Sequence, residues 1–144
     1  LFAYGTLAPG SDNPAGLAIE CATPAELCGY ELYDSGRGWP FASVAGASAA
    51  PGRAVRGLLL SVAGDDPDLD LAEADAYEGY SPEDPHGSLF VRAEVTVRLG
   101  SGTSAPAVAY LSSPERIRAG YPDAPIARLE SGRWELAVQE ASEP

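Results

Sequence analysis

Hydrophobic and polar positions alternate most regularly at residues 89–99, where Leu89, Val91, Ala93, Val95, Val97 and Leu99 interleave with Phe90, Arg92, Glu94, Thr96 and Arg98. A period of two predicts a strand with one buried face and one wet face. Residues 105–111, reached through a turn at 100–104, read as its antiparallel partner. Residues 53–62 form a Val- and Leu-rich run between Pro51-Gly52 and Gly64-Asp65-Asp66, as expected of a buried strand. Shorter apolar runs at 1–4, 29–33 and 41–44 also read as strands. The first is broken by Gly5 and followed by a Gly/Pro-rich loop, and the other two flank a glycine turn at 34–40.

One helix is well signalled. Asp66 suits an N-cap, Pro67 the first helical position, and Asp68 and Asp70 the positive end of the helix dipole. Leu69, Ala72 and Ala76 share one helical face, and the helix is expected to stop near Glu78, because Gly79 suits a left-handed cap. Short helices are expected at 15–20 and 114–119, followed by Pro/Gly-rich chain and an acidic tail with little to bury. Strands dominate, with one firm helix between two of them. This predicts a single domain over residues 1–144, of class α+β: a small mixed β-barrel, or an antiparallel one, with attached helices.

Composition narrows the chemistry. A chain of 144 residues, 45% hydrophobic and 21% charged, suits one domain with one core. All nine basic residues are arginine, which excludes a Schiff-base lysine, a pyridoxal anchor and a Walker lysine. His86 is the single histidine, and Cys21 and Cys28 lack the paired spacing of zinc or redox motifs, so no metal or other cofactor is expected. Carboxylates, hydroxyls, arginine and backbone amides remain as tools. The formal charge of −12 repels phosphate backbones and anionic lipids, arguing against nucleic-acid and membrane partners. The acids are scattered, so solubility is the ordinary reading of that charge. Apolar stretches reach only about eight residues, against the roughly twenty needed to span a bilayer. No signal-peptide pattern opens the sequence, and a cytoplasmic location is expected.

Two places stand out as candidate chemistry. In Tyr4-Gly5-Thr6-Leu7, a turn at Gly5 either serves only the chain reversal or aims successive backbone N–H groups into a concavity that holds an anion. Glu78 lies at the negative end of its helix between Tyr77 and Tyr80, so the dipole and reduced hydration both act to raise its pKa; the alternative is a solvent-facing glutamate. Asp75, three residues earlier, reads as a surface or hydrogen-bonding residue. Arg92 reads as pairing with Glu94 or Glu78, or as solvated. His86 falls in an exposed Pro- and acid-rich loop, and no serine lies in a nucleophile-elbow pattern. The two cysteines read as buried small residues before free thiols. Tyr30, Tyr33, Trp39 and Phe41 surround a glycine turn, as core or as the wall of a pocket.

Taken in order, these segments resemble the gamma-glutamylcyclotransferase-like superfamily, which includes gamma-glutamylamine cyclotransferases and the plant proteins named for avirulence-induced genes. The opening Leu1-Phe2-Ala3-Tyr4-Gly5-Thr6-Leu7-Ala8-Pro9-Gly10 is similar to the family's first block. Gly29-Tyr30-Glu31-Leu32-Tyr33-Asp34-Ser35-Gly36 with Trp39-Pro40, then Arg56-Gly57-Leu58-Leu59, resemble later ones. Asp75-Ala76-Tyr77-Glu78-Gly79-Tyr80 is similar to the segment carrying the family's catalytic glutamate. Phe90-Val91-Arg92, Val95-Thr96-Val97, Ala109-Tyr110-Leu111 and Ser131-Gly132-Arg133-Trp134 complete the series. Phe90 stands where many relatives carry tyrosine, and residues 81–88 lengthen the loop after the glutamate.

The resemblance implies an enzyme without cofactor, acting on a small γ-glutamyl molecule. The substrate's α-amino group attacks its own γ-carbonyl, closing 5-oxoproline and releasing an amine or amino acid. It assigns Glu78 as general acid–base and the amides of Tyr4, Gly5, Thr6 and Leu7 as the cradle of the α-carboxylate, with Tyr30 and Tyr110 lining the pocket. A non-catalytic small-molecule binding domain of the same fold is the alternative, and an acidic adaptor for cationic partners rests on the net charge alone.

Overall fold

The structure is a computed structural model, and it describes residues 1–4, 19–45, 53–62, 71–81 and 83–132. Along the chain these form β1 (Phe2–Ala3), β2 (Ile19–Cys28), β3 (Tyr30–Asp34), β4 (Pro40–Val44) and β5 (Ala54–Val62). Then come α1 (Ala72–Tyr77), β6 (Val91–Leu99), β7 (Ser104–Leu111), α2 (Pro114–Gly120) and β8 (Ala127–Leu129). A five-stranded sheet runs β1-β5-β2-β6-β7, and a three-stranded sheet runs β4-β3-β8. Every ladder is antiparallel. The β6–β7 hairpin is in the expected place, with Val91 opposite Leu111 and Arg98 opposite Ser104.

Backbone bonds between the sheets bring the structure close to a closed barrel. On one side Arg56 N–H donates to Gly132 O at 2.6 Å. On the other, Ser112 N–H donates to Ala42 O at 3.0 Å. The adjacent Ala42 N–H reaches not Tyr110 O but the hydroxyl of Tyr4 at 3.1 Å, which in turn donates to Tyr110 O. Ala42 bonding toward 110 and 112 has the spacing of a parallel ladder step. The Tyr4 hydroxyl is inserted into that step and satisfies both backbone groups.

Two apolar clusters flank β1. Leu1 and Ala3 join Phe41, Leu60, Leu71, Ala74, Phe90, Tyr110 and Ile117 on the side of the helices. Phe2 and Tyr4 point the other way, to Ala25, Leu27, Leu32, Ala42, Val55, Val97 and Ala109. The period of two splits one short strand between two cores, which explains its unbroken apolar run. Phe2 (1% exposed) and Phe41 (0%) are essentially enclosed, each contributing about 1.5–3 kcal/mol by burial. Gly57 on β5 is required by this packing: a Cβ there would stand 2.3 Å from Ala3 O.

Several expectations are corrected. Glu20 belongs not to a helix but to β2, a ten-residue strand; residues 15–18 lie outside the described residues. Pro24 masks β2 in the sequence, and it is tolerated because the β6 pairing takes in only Ala25 and Glu26, so Pro24 lies beside an edge β6 does not pair. Cys28 is exposed rather than buried, because Leu27 takes the inward position at the end of β2; the Cys21 side chain lies outside the described residues. Strand β8 lies within chain read as irregular. At the start of β6 both faces are covered: Phe90 is buried against Trp39 at 5.7 Å, and Arg92 is only 11% exposed. The expected cap at Asp66-Pro67 and the acidic tail lie outside the described residues. Helix α2 begins at Pro114 as expected, with Ser113 Oγ accepting from Arg116 N–H at 3.1 Å.

Candidate active site

Glu78 occupies the C-cap of α1, and the turn that follows fixes its direction. Gly79 adopts φ 69°, the left-handed conformation expected of it. Gly79 N–H donates to Ala76 O at 3.2 Å and Tyr80 N–H to Asp75 O at 2.8 Å, the paired bonds of a Schellman cap. Leu89 N–H then bonds Gly79 O at 3.1 Å, closing the 81–88 loop onto the same turn. No basic residue sits in the last turn of α1 to offset the helix's negative end. Burial pushes the Glu78 carboxyl from 4.5 up to about 7. Of its two tyrosine neighbours, Tyr80 packs against the helix-side cluster; the Tyr77 side chain lies outside the described residues.

Glu78, Tyr4 and Tyr110 are electrostatically coupled. Burial raises the Tyr4 phenol far above its usual range, and the Glu78 charge raises it further against the opposing Ala42 N–H. Tyr110 is also raised by burial, then by its hydrogen bond to Asp75 and the Asp75 charge, with a contribution from Glu78 and opposition from Arg92. The charge of Glu78 at the α1 cap thus reaches both Tyr4, which follows β1, and Tyr110 on β7. Gly5, Thr6 and Leu7 lie outside the described residues. Tyr30 packs against the apolar cluster that contains Tyr4. It lines a 750 Å³ cleft with Leu27, Glu94 and Pro106, and a 330 Å³ cleft with Glu31, Arg53 and Arg56, neither of which includes Tyr4, Glu78 or Tyr110.

A polar assembly includes Tyr110, and in it Asp75 has the hydrogen-bonding role that was one of its two readings. Asp75 is buried, 5% exposed, rather than a surface acid. Its Oδ1 accepts from the Tyr110 hydroxyl at 2.5 Å and its Oδ2 from Arg92 Nη1 at 2.9 Å. Arg92 thus pairs with Asp75, not with Glu94 or Glu78, because β6 begins against α1 and Glu94, two residues on, is exposed. The Arg92 guanidinium also lies over the Tyr80 ring at 5.6 Å. The signal that pointed here was the spacing of Asp75 and Glu78, three apart and so on neighbouring helical positions.

The remaining candidates stand apart from this chemistry. His86 is exposed in its loop. Arg116 Nη1 holds that loop, donating to the carbonyls of Pro85, His86 and Ser88 at 2.9, 3.2 and 2.6 Å. Of the aromatics, Phe41 is core and stacks on Tyr33 at 5.1 Å, and Trp39 meets Phe90 and Tyr121 edge-on. Among the described residues, no three His, Cys, Asp or Glu side chains stand together as a metal site, and no helix is long and apolar enough to cross a membrane.

The class the fold defines is a nearly closed antiparallel barrel with short helices. A solved structure described as a gamma-glutamyl cyclotransferase shares the fold, with a TM-score of 0.50 over 97% of this chain and 83% of that one, at 19% identity. The profile of the family described as "Gamma-glutamyl cyclotransferase, AIG2-like" matches residues 1–136, and the chain belongs to that family. No curated protein matches the sequence.

Proposed function

We propose that the protein converts a γ-glutamyl amine or peptide to 5-oxoproline and a free amine or amino acid. The observation that carries this reading is Glu78: a carboxyl held by a Schellman cap, raised by burial to about 7, whose charge reaches Tyr4 and Tyr110. In the reaction the α-nitrogen forms a bond to the γ-carbon, the bond from that carbon to the leaving nitrogen breaks, and the proton lost by the first nitrogen is delivered to the second. No water, metal or electron enters the balance.

The obstacle is that an α-amino group with pKa ~8 is mostly ammonium at neutral pH. An ordinary glutamate at 4.5 would take its proton uphill by about 3.5 units, about 5 kcal/mol. At about 7 the mismatch falls to about one unit, about 1.4 kcal/mol. The same raised value makes the protonated acid a competent donor to the departing nitrogen, a contribution of about 10²–10⁴-fold. The backbone amides of Tyr4, Gly5, Thr6 and Leu7 would hold the α-carboxylate, keeping the substrate folded for attack and lowering the entropic part of the barrier. Tyr110 lines the pocket; Tyr30, on its separate clefts, has no role in this reading.

The test is release of 5-oxoproline from a panel of γ-glutamyl amines, γ-glutamyl dipeptides and glutathione. Glu78→Gln should abolish release while substrate still binds; undiminished turnover in that variant removes Glu78 from the mechanism.

A further inference from the structure

The hydroxyl of Tyr110 carries one proton, and it is donated to Asp75 Oδ1. The other oxygen of that carboxylate accepts from Arg92. Since a carboxylate only accepts, the ion pair holds the Tyr110 proton on the Asp75 side and leaves the phenolic oxygen with acceptor capacity alone. Tyr4 is committed differently: its proton goes to Tyr110 O, and its oxygen already receives Ala42 N–H. Neither of these two phenols has a proton left to give.

The charges agree with this division. Among the described residues, the groups facing the region are Asp75 and Glu78 on α1 and its cap, Tyr80 just beyond it, Arg92 on β6, Tyr4 following β1 and Tyr110 on β7. Asp75 and Arg92 offset each other, leaving Glu78 to meet a substrate cation. We infer that Asp75 and Arg92 are positioning residues which fix the Tyr110 hydroxyl as an acceptor, bonded to the acid one helical turn before Glu78, where its oxygen receives an N–H of the substrate's α-ammonium group. The inference rests on the cyclisation reading above and adds to it the element that recognises the ammonium.

The experiment compares two ligands binding to protein carrying Glu78→Gln: a γ-glutamyl amide, and the matching glutaryl amide, which lacks only the α-amino group. Adding Tyr110→Phe should weaken the ammonium-bearing ligand about tenfold or more, as for loss of a hydrogen bond to a charged group, and leave the glutaryl ligand unchanged. Asp75→Asn should weaken the first ligand in the Tyr110 background and have no further effect in the Tyr110→Phe background. Equal losses for both ligands, or an equal effect of Asp75→Asn in both backgrounds, would overturn the inference. If Asp75→Asn does not fold, the ligand pair with Tyr110→Phe decides alone. Should these arms fail while the native protein still forms 5-oxoproline and Glu78→Gln does not, the inference falls and the reading stands; absence of 5-oxoproline from every γ-glutamyl compound overturns both.

Discussion

Glu78→Gln should change how stability depends on pH, independently of any assay of activity. The folded chain holds the Glu78 proton up to about 7, whereas the unfolded chain releases it near 4.5. Between those values the native state binds more protons than the unfolded one, so stability falls as pH rises through that window and levels off above it. A shift of about 2.5 units corresponds to about 3 kcal/mol at 1.36 kcal/mol per unit. Glutamine has no proton to lose, so the variant lacks this slope. Urea denaturation of both proteins from about pH 4 to about pH 9 gives the difference in unfolding free energy at each pH, and titrations common to both cancel. The variant should gain about 3 kcal/mol relative to the native protein between the acid and alkaline ends. A difference that stays constant with pH would refute the claim that burial holds this carboxyl neutral.

Two further substitutions probe the scaffold. Tyr4→Phe removes the hydroxyl that joins Ala42 N–H to Tyr110 O, leaving two buried backbone groups unpaired at a cost of about 1–3 kcal/mol. The urea midpoint should fall and the Ala42 amide should exchange faster with solvent, whereas unchanged protection of that amide would contradict the inserted ladder step. Gly57→Ala would place a Cβ 2.3 Å from the Ala3 carbonyl oxygen. Because that neighbour is backbone, β1 must shift, and a loss of at least about 1–3 kcal/mol is expected in the same measurement; an unaltered midpoint would show that β1 is not held as described.

The elements legible in the sequence were those whose pattern had a single physical cause. The β6–β7 hairpin is written in a period of two, β5 in a buried apolar run, and the end of α1 in Gly79, whose positive φ the cap demands. Strand β2 was illegible because Pro24 is a breaker in almost any strand, and only the partial pairing with β6 excuses it. Strand β8 is three residues long and owes its existence to β3, which no local pattern records. The site divides in the same way. Glu78 was visible because its position at a helix end is local and its resemblance to a family segment is sequential. The Asp75–Arg92–Tyr110 assembly was not, because it joins α1, β6 and β7 across the fold, and a buried ion pair looks in sequence like any two charged residues.

The central claim, that Glu78 moves the proton in a cyclisation, is tested most directly by the pH dependence of kcat/KM for 5-oxoproline formation. The rate should rise with the loss of one proton through about 7, where Glu78 ionises, and fall again above ~8 as the substrate's ammonium is lost. An acid limb centred near 4.5, the ordinary glutamate value, would contradict it.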